Sequence, residues 1–246
     1  MNRILALYIF LLLCGTVSAQ QIVEWSDLQT ITDNSRRTVY YKKGRKQPLR
    51  GKYRIIRGLD EECVKFSVGM INGDYRRYRD GVLRESGIYA KGKRNSTFTE
   101  YYQDGVTPRK ETPMQQGKID GTVKTYFRNG KIEAEKEYKQ SVESGRERRF
   151  DSKTGEQIFE SHYIDGKKDG EEWEIFEDAS TLRSRIIRHY CNGKLDGSYR
   201  VESTRDGKPY ITIEGQYTDG EKSGQWIEHN YDNNTQTCTW HGEGGA

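Results

Sequence analysis

The chain has 246 residues and a formal net charge of +4, with 32% charged side chains, 26 Gly, 4 Pro, 17 Tyr, 7 Phe and 4 Trp. So small a charge does not mark a nucleic-acid binder, and many glycines and rings with few prolines point to turn-rich β structure rather than a compact α/β enzyme. A mean hydropathy of −1.00 would suit a disordered chain, but rings in that number bury area where aliphatic side chains are scarce.

The first nineteen residues read as a secretory signal peptide. Arg3 gives a positive start, Ile4 to Leu13 is an unbroken apolar run, and Val17-Ser18-Ala19 supplies small residues before a cut near Ala19. The run is too short to span a bilayer, so the expected location is secreted or periplasmic. Leu13 stands where a lipoprotein signal wants a small residue, which speaks against lipidation of Cys14. Residues 20–40, including the stretch QIVEW, are expected to add a cap or a first strand.

Arg36 to Arg57 holds ten basic residues and no acid. Arg36, Arg37, Lys42, Lys43, Arg45 and Lys46 are the candidate contacts to an anionic surface, whether lipid, polysaccharide or an acidic partner. The competing reading is that Lys and Arg here keep a sheet soluble and blunt an unpaired edge. A smaller acidic cluster, Glu171, Glu172, Glu174 and Glu177, follows later.

From Tyr41 onward an octapeptide returns. Its copies begin at Tyr41, Phe66, Tyr89, Met114, Tyr138, Tyr163, Tyr190 and Tyr217, at intervals of 25, 23, 25, 24, 25, 27 and 27 residues. The consensus is aromatic, two residues, Gly, two residues, Asn/Asp/Ser, Gly. The residues that carry it are Tyr138 and Gly145, then Tyr163, Gly166 and Gly170, then Tyr190, Gly193 and Gly197, then Tyr217, Gly220 and Gly224. Met114 replaces the ring, Ser96 and Ser141 each replace a Gly, and the first copy holds three extra residues before Gly51.

Each period holds a second turn about nine residues on, at Asp80-Gly81, Asp104-Gly105, Asn129-Gly130 and Asp206-Gly207. These dipeptides suit tight hairpin turns, in which both central residues need positive φ. Between the turns the chain alternates: Ile132, Ala134 and Tyr138 share one face, and Glu133, Glu135 and Glu137 the other. Phe159, Ile186, Ile211 and Ile213 fall in phase with the rings. One period is thus expected to be strand, tight turn, strand, longer turn. One hairpin cannot bury a face alone, whereas a row of them covers one another.

The pattern aromatic-x-x-Gly-x-x-Asp/Asn-Gly, followed by an aromatic two or three residues on (Tyr75, Phe98, Trp173, Tyr199, Trp226), resembles the MORN-repeat family, most closely its bacterial variant. The resemblance covers residues 41 to 231. It implies an all-β array of about eight hairpins forming one elongated, twisted, antiparallel sheet over residues 41–246. Family members serve as scaffolds, membrane-lipid binders or appendages to enzymes, and some bacterial members carry an antitoxin label.

Chemistry-bearing residues are sparse. Cys63, Cys191 and Cys238 remain after the signal peptide. In a meander Cys191 and Cys238 lie about four strands, roughly 19 Å, apart, beyond the ~7 Å reach of a disulfide, so no intrachain bridge is expected. Cys238 and His241 have a ligand-like spacing, but residues three apart on a strand face opposite sides. His162, His189, His229 and His241 show no spacing of a nucleophilic site. Trp25, Trp173, Trp226 and Trp240 do not recur in one phase, as a repeated glycan cage would require. Asn95 and Asn233 begin N-glycosylation sequons.

The sequence therefore predicts a non-catalytic scaffold without cofactor or metal, binding a protein partner in the cell envelope or secreted space. The alternatives are an anionic membrane or polyanion held by residues 36–57, or a cell-wall glycan. Nucleic acid is not expected.

Overall fold

The computed structural model describes residues 20–34, 36–177, 183–205, 208–231 and 233–242. The predicted signal peptide with its cut near Ala19 lies outside the described residues, and so does the predicted Asp206-Gly207 turn. The described chain is all-β but for one short 3-10 turn, and no described helix is long and apolar enough to cross a membrane. Two compact units meet at Val106 and Thr107.

Unit 1 contains β1 (Gln21–Glu24), the 3-10 turn Trp25–Asp27, β2 (Leu28–Thr32), β3 (Thr38–Lys42), β4 (Gly51–Arg57), β5 (Asp60–Ser67), β6 (Met70–Arg79), β7 (Val82–Ala90), β8 (Lys93–Arg94) and β9 (Thr97–Tyr101). From β4 on, this is an antiparallel meander. Residues 20–40, ahead of the expected array, add strands of their own. β1 runs parallel to β4, with Gln21 opposite Tyr53 and Glu24 opposite Ile56, while β2 and β3 form a small sheet of their own. The first octapeptide copy also differs: its extra residues let Tyr41 bridge Pro48, so the chain folds back over the next turn, where Leu49 O accepts from Gly69 N–H at 2.8 Å.

Unit 2 contains β10 (Pro108–Gln115), β11 (Lys118–Ile119), β12 (Gly121–Tyr126), β13 (Ile132–Lys139), β14 (Val142–Phe150), β15 (Gln157–Ile164), β16 (Lys167–Lys168), β17 (Gly170–Glu177), β18 (Arg183–Cys191), β19 (Lys194–Arg205), β20 (Lys208–Thr218), β21 (Glu221–Asn230) and β22 (Thr235–His241). Every pairing within it is antiparallel.

The octapeptide makes the tighter turn of each period, the reverse of the expectation. Its third and fourth residues both hold positive φ in every copy after the first, for example Asn192 (51°) with Gly193 (87°) and Gln140 (52°) with Ser141 (71°). Only two residues separate the paired ends Cys191 and Lys194. Of the predicted second turns, Asp80-Gly81 shares this backbone, but at Asn129-Gly130 only the Gly does, and residues 127–131 form a longer loop between Tyr126 and Ile132. An Asp-Gly or Asn-Gly pair permits the tight turn but does not impose it, because loop length also decides the turn type.

The eighth residue explains the stride. Gly51 pairs with Phe66, Gly73 with Tyr89, Gly121 with Tyr138, Gly145 with Tyr163, Gly170 with Tyr190, Gly197 with Tyr217, and Gly224 with His241. The first six of these glycines thus face the ring that opens the next copy, and Gly224 faces the His241 ring. Gly197 needs to be glycine twice over. Its φ of 111° disfavours any side chain, and a Cβ there would press within 3.2 Å of His189 Cβ.

Rings two residues past that glycine pack on the opening ring. Tyr199, Tyr217 and Trp226 have centroids 5.2–5.7 Å apart, and Tyr75, Tyr89 and Phe98 repeat the arrangement at 5.2–6.1 Å. Such pairs contribute about 0.5–1.5 kcal/mol each beyond the area they bury. Lys222 lies 4.1 Å over Trp226, and Arg94 lies 4.3 Å over Phe98.

Trp173 does not belong to this series. It sits one residue later and faces the other way, under Arg185 at 4.5 Å. The ring position of that copy holds Glu172, 1% exposed, ion-paired to Lys168 and, at 2.9 Å, to Arg188. The copy before it holds Glu147, paired to Lys136 at 3.0 Å. Burial lowers the Lys136 pKa, but hydrogen bonds to Glu143 and Glu147 outweigh it and the net shift is upward. Glu135, placed by alternation on the face away from the rings, is buried too, between Lys124 at 3.4 Å and Arg148 at 2.8 Å. Mid-unit, charge pairing replaces rings as the packing material.

Candidate functional site

Several polar and titratable side chains of unit 2 lie on the face away from the rings. There a groove of about 520 Å³ crosses strands β17 to β21. Ile187 and Ile227 line it beside Glu171, His189, Ser198, Arg200, Glu214, Gln216 and Gln225. Strand alternation places them together: Glu171 pairs with His189, Ile187 with Arg200, Arg200 with Glu214, and Ser198 with Gln216. Of these, the sequence singled out only His189 as candidate chemistry and Glu171 as part of an acidic cluster.

Three of the four histidines share this face, each beside a carboxylate. His162 lies 3.7 Å from Glu160, His189 3.7 Å from Glu171, and His229 3.4 Å from Glu214. His241 lies on the other face, its ring 6.2 Å from Trp226. Cys238 pairs with the groove residue Ile227, so Cys238 and His241 do point apart. Cys63, Cys191 and Cys238 are free thiols, the last two exposed. Among the described residues no group of three or more His, Cys, Asp or Glu is arranged to hold a metal ion.

One constellation escaped the sequence. His189 Nδ1 lies 3.0 Å from Ser198 Oγ, with the Glu171 carboxylate on the other ring nitrogen. Hydroxyl, imidazole and carboxylate are the ingredients of a nucleophilic triad. Neighbouring copies give the contact its meaning. Glu137, which also precedes an opening ring, accepts Arg146 N–H at 3.0 Å, and His162 Nδ1 lies 3.2 Å from Glu171 O. In all three the residue before the ring reaches the residue after the closing glycine. The His189–Ser198 contact is a stitch of the repeat, and the polar residue preceding each aromatic was its only trace in the sequence.

The basic stretch is not one patch. Arg37 pairs with Asp33 at 2.7 Å, Arg54 with Glu61 at 2.5 Å, and Arg57 lies 4.0 Å over the Trp25 ring. Lys42 reaches Gln21 at 3.4 Å. Arg36 is exposed with a left-handed backbone, φ 57°. Lys43, Arg45 and Lys46 cluster on the exposed turn after β3. Edge protection is not the role of β4, which pairs with β1 on one side and β5 on the other.

Tyr163 and Tyr126 of unit 2 are held protonated far into alkali. Tyr163 is pushed up to about 12 by burial and the nearby Glu147 charge, and Tyr126 to about 12 by burial and its hydrogen bond to Glu111. Neither lines the groove.

No protein-family model matches the chain, and no curated protein matches it.

Proposed function

We propose that the chain is a non-catalytic interaction scaffold that takes a protein partner on the grooved face of unit 2. The observation that carries this is the groove itself, open, polar and assembled from side chains of five consecutive long strands. Small-molecule sites enclose their ligand in mostly apolar walls. An open face with an apolar strip and a polar surround suits a protein surface instead. The octapeptide turns, recurring on one stride and hydrogen-bonded in series, support kinship with MORN-repeat scaffolds, and the N-terminal sequence supports a secreted or periplasmic setting.

A second reading rests on Lys43, Arg45 and Lys46, three exposed cations on one turn without an ion pair to any described residue. It assigns that turn to an anionic membrane or polyanion.

Pull-down of the tagged protein from envelope extract at low and high salt separates them. The comparison uses an Arg200→Ala/Gln225→Ala variant and a variant with Lys42, Lys43, Arg45 and Lys46 changed to Ser. A partner kept at high salt and by the serine variant, but lost with the groove variant, supports the scaffold. Loss with salt and with the serine variant overturns it in favour of the anionic surface.

A further inference from the structure

We propose that β22 is a self-pairing edge: two copies of the chain join through antiparallel β22 strands about a two-fold axis at Cys238. Within unit 2, β22 pairs with β21 from Gly224↔His241 to Asn230↔Thr235, and among the described residues no other strand of the unit pairs with its outer side. Thr235 to Trp240 are all exposed, Trp240 at 66%. An open edge displays unpaired N–H and C=O groups, and natural sheets blunt such edges with charge, proline or bulges. The edge Thr-Gln-Thr-Cys-Thr-Trp-His has no acid, Lys, Arg or proline and continuous register.

The occupant follows from the strand's symmetry. Cys238 is its central residue, so a two-fold there is the register that pairs all seven residues. It sets Thr237 against the partner subunit's Thr239, and Gln236 against the partner subunit's Trp240. No like charges oppose each other, and Thr–Thr pairs stabilise antiparallel ladders. The interface is isologous and closes as a dimer. The sheet then continues from one copy to the next, so the grooved faces of both lie on one surface. A strand pair alone buries less than the roughly 1,600 Å² of a standard interface, so the expected Kd is about micromolar. This proposal does not rest on the partner reading above, because its occupant is a second copy.

Sedimentation velocity of the purified protein under reducing conditions, over about 1–200 µM, tests it. The wild type and Cys238→Ser should both show a concentration-dependent dimer. Thr237→Lys/Thr239→Lys, exposed changes that set lysine against lysine across the axis, should weaken it at least tenfold. A second readout uses oxidised glutathione on chains retaining one thiol, Cys238 or Cys191. Two Cys238 thiols form one disulfide while glutathione disulfide is reduced to two glutathione thiols, which take up the two protons. Antiparallel partners lie about 4.5–5.5 Å apart at Cα, inside the range for a disulfide, so Cys238 should cross-link faster than Cys191. A monomer at every concentration overturns the proposal. So does a dimer indifferent to the lysines or lost in Cys238→Ser, or equal cross-linking at the two cysteines.

Discussion

The Asp169 carboxylate accepts the backbone N–H of Asn192 at 3.0 Å, across 23 residues of sequence. Beside it, Gly193 N–H donates to Lys168 O at 2.8 Å. The same backbone bond recurs from Gly166 to Glu143, from Gly220 to Leu195 and from Ser141 to Ile119, at 2.7–2.8 Å. Asn72 repeats the side-chain bond, accepting Lys91 N–H at 3.0 Å. The seventh residue of the motif therefore holds the next turn, in addition to solvating its own.

Asp169→Ala should lower stability by about 1 kcal/mol, the size of one net hydrogen bond, while Asp169→Asn keeps most of it. Urea denaturation checks this: the midpoint should fall for the alanine variant with an unchanged m-value.

Gly215 lies flat under the Trp226 indole, and a Cβ built there would overlap the ring. Gly215→Ala should cost roughly 1–3 kcal/mol by overpacking and alter tryptophan fluorescence. Gly87→Ala, whose Cβ would fall 2.7 Å from the Phe98 ring, should cost a similar amount in unit 1.

Glu172→Ala leaves Arg188 and Lys168 without their buried partner and should destabilise the fold by about 3 kcal/mol. Adding Arg188→Met should restore part of that loss, because the two sites share one ion pair. Denaturant midpoints of the two singles and the double decide it. Additive losses would mean that the pair is uncoupled.

Alkali should loosen unit 2 before it denatures the chain by charge repulsion. The folded-state pKa of Tyr163 and of Tyr126 is raised to about 12 from an ordinary 10. Their stabilisation is therefore full below pH 10 and is lost as pH rises through the folded value of about 12. Tyrosinate absorbance should show a late-titrating fraction, and Glu147→Gln should move part of it to lower pH by removing the nearby negative charge.

The hairpin architecture was legible because the octapeptide encodes it in residue types. Glycine, Asn/Asp and a ring each have a separate mechanical reason to recur. Which turn is the tight one was not legible: Val68 and the pair Gln140-Ser141 take the positive φ of a tight turn where Asn, Asp or Gly is usual, held there by the flanking ladder. That Glu172 rather than Trp173 takes the inward ring position was not legible either. The local bend at each closing glycine leaves alternation alone unable to say which of two adjacent residues faces inward. The groove was illegible for a different reason. His189, Ser198 and Glu214 meet only through cross-strand register, which no local pattern states.

Both rims of unit 2 are lined by turns, but they differ in freedom to change. Where the octapeptides stack, two residues close each hairpin and neighbouring turns are bonded in series, so one inserted residue would break bonds on both sides. Loops on the opposite rim include residues 127–131 and 151–156, where doubling a loop costs only about 0.6 kcal/mol. Inheritance should thus write its variation along one border and keep the other nearly constant. A foreign peptide spliced in between Arg128 and Asn129, or between Lys153 and Thr154, should be displayed there with the sheet beneath it unchanged.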